Sequence, residues 1–269
     1  MDRRYDDRID DFPLRPAAAT GRLPRRLSHS LLWTGRCIDF EYRGEPIHSH
    51  LNAFVVKGSH RSVIVDTGAP AHWPEVRRDV LAFLDGRPLD FVFPTHPEFP
   101  HGGALPHWMQ EFPDAVAVGD LRDQALYYPD LRSRFLTVQA GDRIDLGDRE
   151  LLFVKALWRD LPTTLWAFDT RDRILFVSDA FAFLHHHVDG RCDRLTSEQP
   201  PIDVDLMQFF NERALFWTRF TDTSLSFPEF DRLIAELRPR VIAPGHGNVV
   251  DRQEIFDLAK QGFSAEAIQ

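Results

Sequence analysis

The sequence predicts a layered α/β domain with helices outside two sheets. Two observations carry that reading. Strand and helix signals interleave along the chain, and strand signals crowd its first two-thirds. A third observation places a site: three short apolar strands each run into a loop bearing a histidine or an acid. Composition agrees with a globular chain. The 269 residues are 43% hydrophobic and 27% charged, with a formal net charge of −9, and such a balance is ordinary for a folded domain. An acidic chain has no general attraction for nucleic acid or anionic lipid. No window approaches the roughly 18 to 20 apolar residues of a membrane span, and the charged start shows no secretory signal. Two cysteines, Cys37 and Cys192, cannot build a disulfide framework or a thiolate zinc site. A reduced, cytoplasmic setting is the default expectation.

Residues 1–26 mix seven Arg with five Asp and show no apolar period. They are expected to form an N-terminal arm, flexible or packed on the domain, with the domain itself spanning 27–269. Residues 31–42 and 51–57 read as strands. Residues 62–65 are a short buried strand running into Asp66-Thr-Gly68. Residues 74–84 read as a helix: proline opens it, Val76, Val80, Phe83 and Leu84 form its stripe, and Gly86 follows its end. Further strands are expected at 90–93, 115–118, 143–146, 150–154, 164–168 and 173–177. An aromatic-rich helix is expected over 205–220, and Ser226 with Glu229 has the spacing of a capping box opening another. A strand at 241–243 and a terminal helix complete the series.

The informative cluster is Pro94-Thr-His96-Pro-Glu98-Phe-Pro100-His101-Gly-Gly103. It follows an apolar strand, and strand ends are where α/β proteins release polar residues into a site. Three potential metal ligands, His96, Glu98 and His101, lie there within six residues. The competing reading is a surface loop with two unrelated histidines. Downstream, one apolar strand ends in Asp179 and another in His246, flanked by Gly245 and Gly247. An accidental loop histidine does not explain that repetition. His48 and His50, two apart on a strand, share one face; they read as ordinary strand histidines or as residues reaching the site mouth. His185, His186 and His187 read as an exposed loop, with a proton-donor role as the alternative. Phe181, Phe183, Phe209, Phe210, Phe216 and Trp217 are expected mainly in the core. No dinucleotide fingerprint, phosphate loop or serine-nucleophile elbow occurs.

These residues resemble the metallo-β-lactamase superfamily over roughly residues 45–250. The Val65-Asp-Thr-Gly68 strand end, the histidine cluster, Asp179 and Pro244-Gly-His-Gly247 occur in that superfamily's order. Glu98 in the second motif position is similar to a branch of it: the di-iron domain of flavodiiron proteins and the related oxygen-binding di-iron proteins. The stretches 175–181, 160–169 and 209–220 also look like that branch. The resemblance implies a metallo-β-lactamase-like αββα sandwich, two mixed sheets flanked by helices. It implies two metal ions, one held by His96, Glu98 and Asp160, the other by His101 and His246, with Asp179 bridging. Asp66 would lie beneath the loop and orient it. The chain departs from the family at Pro100, where the family has an aspartate, and at Asp160, where the family has a histidine. Replacing imidazole by carboxylate makes an oxygen-richer site, better suited to iron or manganese than to zinc.

The function this implies is a metal-dependent oxidoreductase binding or activating O2 or NO. Iron is favoured, with zinc or manganese as alternatives, and no flavin or nucleotide site is expected within the chain. A small-molecule substrate or O2 would be the partner, with electrons from a separate donor or from an oxidised substrate. A homodimer is allowed, since related domains often pair. The alternatives are a metallohydrolase of an ester, lactone or thioester, and a non-catalytic descendant whose metal site has degraded.

Overall fold

In the computed structural model the described residues are 17–186, 191–252 and 255–263. The chain begins with β1 (Arg25–Arg26), then a long ribbon of β2 (Leu31–Tyr42) and β3 (Glu45–Lys57), then β4 (Ser62–Val65). Arg43 and Gly44 alone join β2 to β3, both with positive φ (53° and 82°). That is the backbone a two-residue hairpin needs to match the strand twist. Next come α1 (Trp73–Leu84), β5 (Phe91–Phe93), α2 (Phe99–Gly102), α3 (Leu105–Glu111), β6 (Val116–Gly119), α4 (Gln124–Tyr127) and β7 (Phe135–Thr137). The second half holds β8 (Arg143–Asp145), β9 (Glu150–Lys155), β10 (Leu165–Asp169), β11 (Ile174–Phe176) and β12 (His185–His186). It ends with α5 (Val204–Ala214), α6 (Phe227–Leu237), β13 (Val241–Ala243) and α7 (Ile255–Gln261).

The strands form two mixed sheets. The first runs β1-β2-β3-β4-β5-β6-β7, with β12 also paired to β3; the second runs β13-β11-β10-β9-β8. β4 to β7 are parallel neighbours, as are β11 and β13, and the other pairs are antiparallel. Alternation along each strand feeds two faces at once. Phe54, Val56, Val63, Val65 and Phe93 of the first sheet meet Phe153, Ala167, Phe176 and Ala243 of the second in a central core. Phe54 lies 5.5 Å from Phe176, and Phe93 lies 5.0 Å from Phe153. Each such buried phenyl ring contributes about 1.5–3 kcal/mol. The opposite faces are covered by helices. Val55 and Ile64 pack on Val80, Phe83 and Trp108, while Trp166, Phe168 and Leu175 pack on Met207, Phe230 and Ile255. The result is the αββα sandwich that the resemblance implied.

Several local expectations need correction. β3 begins at Glu45, so His48 and His50 lie inside the long ribbon. The helix expected over 205–220 stops at Ala214 and tightens into a 3-10 segment, Phe216–Phe220. There the Trp217 indole donates to the Arg159 carbonyl at 2.6 Å. The capping box does not form. The Ser226 hydroxyl donates instead to the Thr223 carbonyl at 2.6 Å and accepts from the Trp158 indole at 2.7 Å, while Glu229 pairs with Lys155. His185 is not in an exposed loop: it is buried in β12 and pairs with His48. His187 lies outside the described residues.

Of the expected arm, residues 1–16 lie outside the described residues. Residues 17–26 are tied to the domain. Asp193 accepts from the Thr20 and Gly21 amides at 2.6 and 2.8 Å, and Arg25 makes a two-pronged pair with Glu198. Among the described residues, no helix is long and apolar enough to cross a membrane.

Candidate metal centre

Four strand ends meet at one edge of the sandwich. β4 delivers Asp66, β5 delivers Thr95 and His96, β11 delivers Ser178 and Asp179, and β13 delivers Gly245 and His246. The short helix α2 follows β5 directly and brings His101 back over the same point; two prolines and two glycines hold this turn. Close approach explains Gly245, where an added Cβ would sit 2.5 Å from His101 Cε1.

Asp179 lies at the middle, buried. Its Oδ1 is 3.0 Å from His246 Nε2 and 3.3 Å from His101 Nε2, while its Oδ2 is 3.6 Å from His96 Nε2. Its two oxygens therefore face two different groups of imidazoles. Asp160, from the loop after β9, places Oδ2 3.3 Å from His96 Nε2. Glu98 stands at the edge, its side chain 56% exposed and its Oε2 3.9 Å from the same nitrogen. The structure thus gathers His96, His101, Asp160, Asp179 and His246, with Glu98 at their rim. Pro100 lies within α2 and offers no ligand atom on the His101 side.

All three imidazoles are anchored through Nδ1. His246 donates to the His50 carbonyl at 2.7 Å, and His101 donates to Asp66 Oδ2 at 2.9 Å. His96 Nδ1 lies 2.9 Å from Ser178 Oγ. Every Nε2 is thereby left for the centre. Outer partners of this kind fix the tautomer and orientation of a metal-ligating histidine. Asp66 does more than meet His101: its Oδ1 accepts from the Thr95 amide at 2.9 Å and the Thr95 hydroxyl at 2.8 Å. It lies beneath the loop and holds it, as the resemblance implied. Ser178 and the His50 carbonyl were not singled out from the sequence. A serine before an acid and a backbone carbonyl carry no signal until the strands are paired.

Electrostatics describe a site built for positive charge. Burial alone would push His101 down, but Asp66 and Asp179 on either side raise it well above an ordinary histidine. Burial would raise Asp179, yet His101 and His96 hold it well below the usual carboxylate range. Burial and the neighbouring Asp179 charge push Asp160 up. His96 Nε2 and Asp160 Oδ2 are both buried, and neither makes a hydrogen bond. Orphaned polar atoms facing one another at 3.3 Å are costly, and a cation between them removes that cost. Three carboxylates and three imidazoles, aimed inward, fit a pair of divalent ions.

The remaining expected residues divide. Phe181 and Phe183 are buried in the core, Phe210 lies 5.1 Å from the His246 ring, and Phe216 is exposed. The side chains of His48, His50 and His185 gather away from this centre, around the two cysteines.

Comparison with known proteins agrees with this fold. The coenzyme F420H2 oxidase of Methanothermobacter marburgensis is 30% identical over 244 residues, which cover 84% of this chain and 57% of that protein. The chain thus spans less than two thirds of that relative's length. Among solved structures, the rubredoxin oxygen:oxidoreductase of Desulfovibrio gigas matches with a TM-score of 0.67 at 17% identity, covering 87% of this chain and 59% of that one. The chemotaxis sensor ODP, solved as its peroxy diiron species, matches with a TM-score of 0.61 at 16% identity, covering 86% and 96%. At such identities the two structures speak for the fold. The family model described as ODP family beta lactamase matches residues 49–247. That span is most of the chain and contains all six of the gathered residues, so the chain belongs to the ODP family of the β-lactamase fold.

Proposed function

We propose that this chain is a metal-dependent oxidoreductase whose two-ion centre takes O2 or NO. The observation that carries the reading is the division of Asp179, one oxygen towards His96 and the other towards His101 and His246. His96, Glu98 and Asp160 would hold one ion, His101 and His246 the other, and Asp179 both. The names of the relatives, an F420H2 oxidase and a rubredoxin oxygen:oxidoreductase, support the same reaction class. Iron is the favoured occupant because half of the donors are carboxylates; zinc and manganese are the alternatives. Bound iron would supply the one-electron chemistry that reduction of O2 or NO needs and that closed-shell side chains lack.

The chain's own residues do the rest. Asp66, Ser178 and the His50 carbonyl hold the three rings with Nε2 inward. Pro100 places no ligand on the His101 side, so that side keeps open positions for a small molecule. Two histidines and one carboxylate with open positions form the set used by non-haem iron(II) oxygenases. Electrons would come from a separate donor or from an oxidisable substrate, in a reducing, cytoplasmic setting.

The test is elemental analysis of protein purified without added metal, with absorption spectra under nitrogen and after admitting air or NO. About two irons per chain and a spectrum that responds to either gas are expected. Zinc alone, with turnover of esters or lactones, would overturn the proposal in favour of a hydrolase. A protein that takes up no metal would mark a non-catalytic descendant.

A further inference from the structure

A second group of ligand-type side chains sits on the inner face of the first sheet, apart from the centre described above. Strand geometry assembles it. His48 and His50 share a face of β3 with Phe54 and Val56, which point into the core between the sheets. Register sets Cys37 of β2 directly opposite His50, and His185 of β12 directly opposite His48. Residues directly opposed across a ladder project to the same side. Cys192 approaches from the segment that follows β12. The ligand atoms of His50, His185 and Cys192 all lie within 4.8 Å of one another, as do those of Cys37, His48 and Cys192. The His50 and His185 rings are 5.3 Å apart, and the His48 ring lies tilted against His185 at 4.1 Å.

Two features call for a ligand. His50 is fully buried and His185 is 7% exposed, yet neither ring nitrogen of either residue has a nitrogen or oxygen partner. Among the described residues, the sulfur of Cys192 faces both rings. The Cys192 thiol is held towards the thiolate, first by the thiol of Cys37 and then by His185 and His50, against the opposing effect of burial. Buried imidazoles without oxygen partners, beside the Cys192 thiol, form a soft nitrogen and sulfur donor set; the neighbouring Cys37 thiol is pushed up by Cys192 and by burial and stays protonated. That donor set contrasts with the oxygen-rich centre at the strand ends.

We propose that His50, His185 and Cys192 form a second metal site that takes one zinc-class ion through two nitrogens and one sulfur, with the fourth position open beside Cys37. Three protein ligands of nitrogen and sulfur with a fourth position open is one of the ordinary zinc arrangements. As the metal–sulfur bond forms, the Cys192 thiol proton passes to solvent and no electrons move. On this proposal, histidines from β3 and β12 supply the ligands that two cysteines alone lack. The position has a structural consequence. The backbone carbonyl of His50 accepts from His246 Nδ1 at 2.7 Å, so an ion on the His50 ring would fix the strand that orients His246.

The test uses the full chain, stripped of metal under reductant and titrated with Co(II), then with Zn(II). The expected result is a near-ultraviolet thiolate-to-cobalt charge-transfer band that saturates at one equivalent per chain and is displaced by zinc. The band should persist in Asp179→Ala, which disrupts the other centre, and should disappear in Cys192→Ser. Absence of the band from the wild-type protein would overturn the site without reliance on any variant. So would its persistence in Cys192→Ser, or a Cys37–Cys192 disulfide found in protein purified with zinc present.

Discussion

Asn52 offers the sharpest test of how the fold holds its site. Its side chain is buried between the strand that carries it and the loop that carries His246. Its Oδ1 accepts from the Trp33 indole at 2.8 Å, and its Nδ2 donates to the Pro244 and Gly247 carbonyls at 2.9 and 2.7 Å. Asn52→Ala removes three hydrogen bonds, each worth about 1 kcal/mol net. It also strands one buried donor and two buried carbonyls, and each orphan costs more than the bond itself. The loss should reach about 3–5 kcal/mol, a fall in Tm on the order of 10 °C for a domain of this size. The assay is thermal and denaturant unfolding of metal-free protein, so that altered metal binding does not enter the result. Metal content of the same variant, measured separately, should fall by about one ion per chain, because only the loop bearing His246 is released. Asn52→Asp is the informative companion. It keeps the acceptor for Trp33 but turns an anionic oxygen on two carbonyl oxygens, so it should be at least as damaging. A loss below about 1 kcal/mol for Asn52→Ala, with metal content unchanged, would refute the view that this amide clamps the loop.

Three further outcomes follow from the same geometry. Asp66→Ala removes the acceptor for His101 Nδ1, for the Thr95 amide and for the Thr95 hydroxyl; it should weaken metal affinity about 10–100-fold in chelator competition, and unchanged affinity would count against a positioning role. Arg149→Met strands two buried carboxylates, Asp169 and Asp172, each within 2.9 Å of its guanidinium; denaturant unfolding should show a loss of about 3–5 kcal/mol, partly recovered when Asp169→Asn is added. Arg25 holds the Glu198 carboxyl below its ordinary value of 4.5. A depressed folded-state value stabilises above the unfolded one and is lost as pH falls through the folded one, so stability in denaturant unfolding should fall as pH drops below 4.5, and Glu198→Gln should lessen that dependence.

The contribution of sequence to this picture varies with the distance over which each contact acts. His96, Asp179 and His246 were legible because each ends a run of apolar residues, and a polar side chain there has nowhere to go but the loop. The αββα layering was legible from interleaved strands and helices together with the motif order. Short-range rules failed where a long-range partner competed. Ser226 has capping-box spacing, but Trp158, 68 residues earlier in sequence, claims its hydroxyl. The helix from Val204 stops at Ala214, and the aromatic run beyond it follows a tighter path in which Trp217 bonds Arg159. The burial of His185 depends on pairing with His48, and that of Asn52 on contacts with residues 244 and 247. No periodicity within either segment announces such partners. The same holds for the two cysteines, which a count treats as isolated: β-sheet register sets Cys37 opposite His50, and the segment after β12 brings Cys192 beside it.

Anchoring each imidazole to a different part of the chain has a consequence for the order of folding. Asp66, His96, Asp179 and His246 come from both sheets, and His246 is oriented by a carbonyl 196 residues away. Among the described residues, no hairpin or half-domain contains the whole ligand set, so the complete centre cannot act as an early nucleus. Contacts so distant in sequence form slowly, and uptake becomes the last event of assembly. An ion that binds only the finished arrangement stabilises it in proportion to the logarithm of its free concentration. Metal supply would then govern how long the completed chain persists rather than how fast it is made.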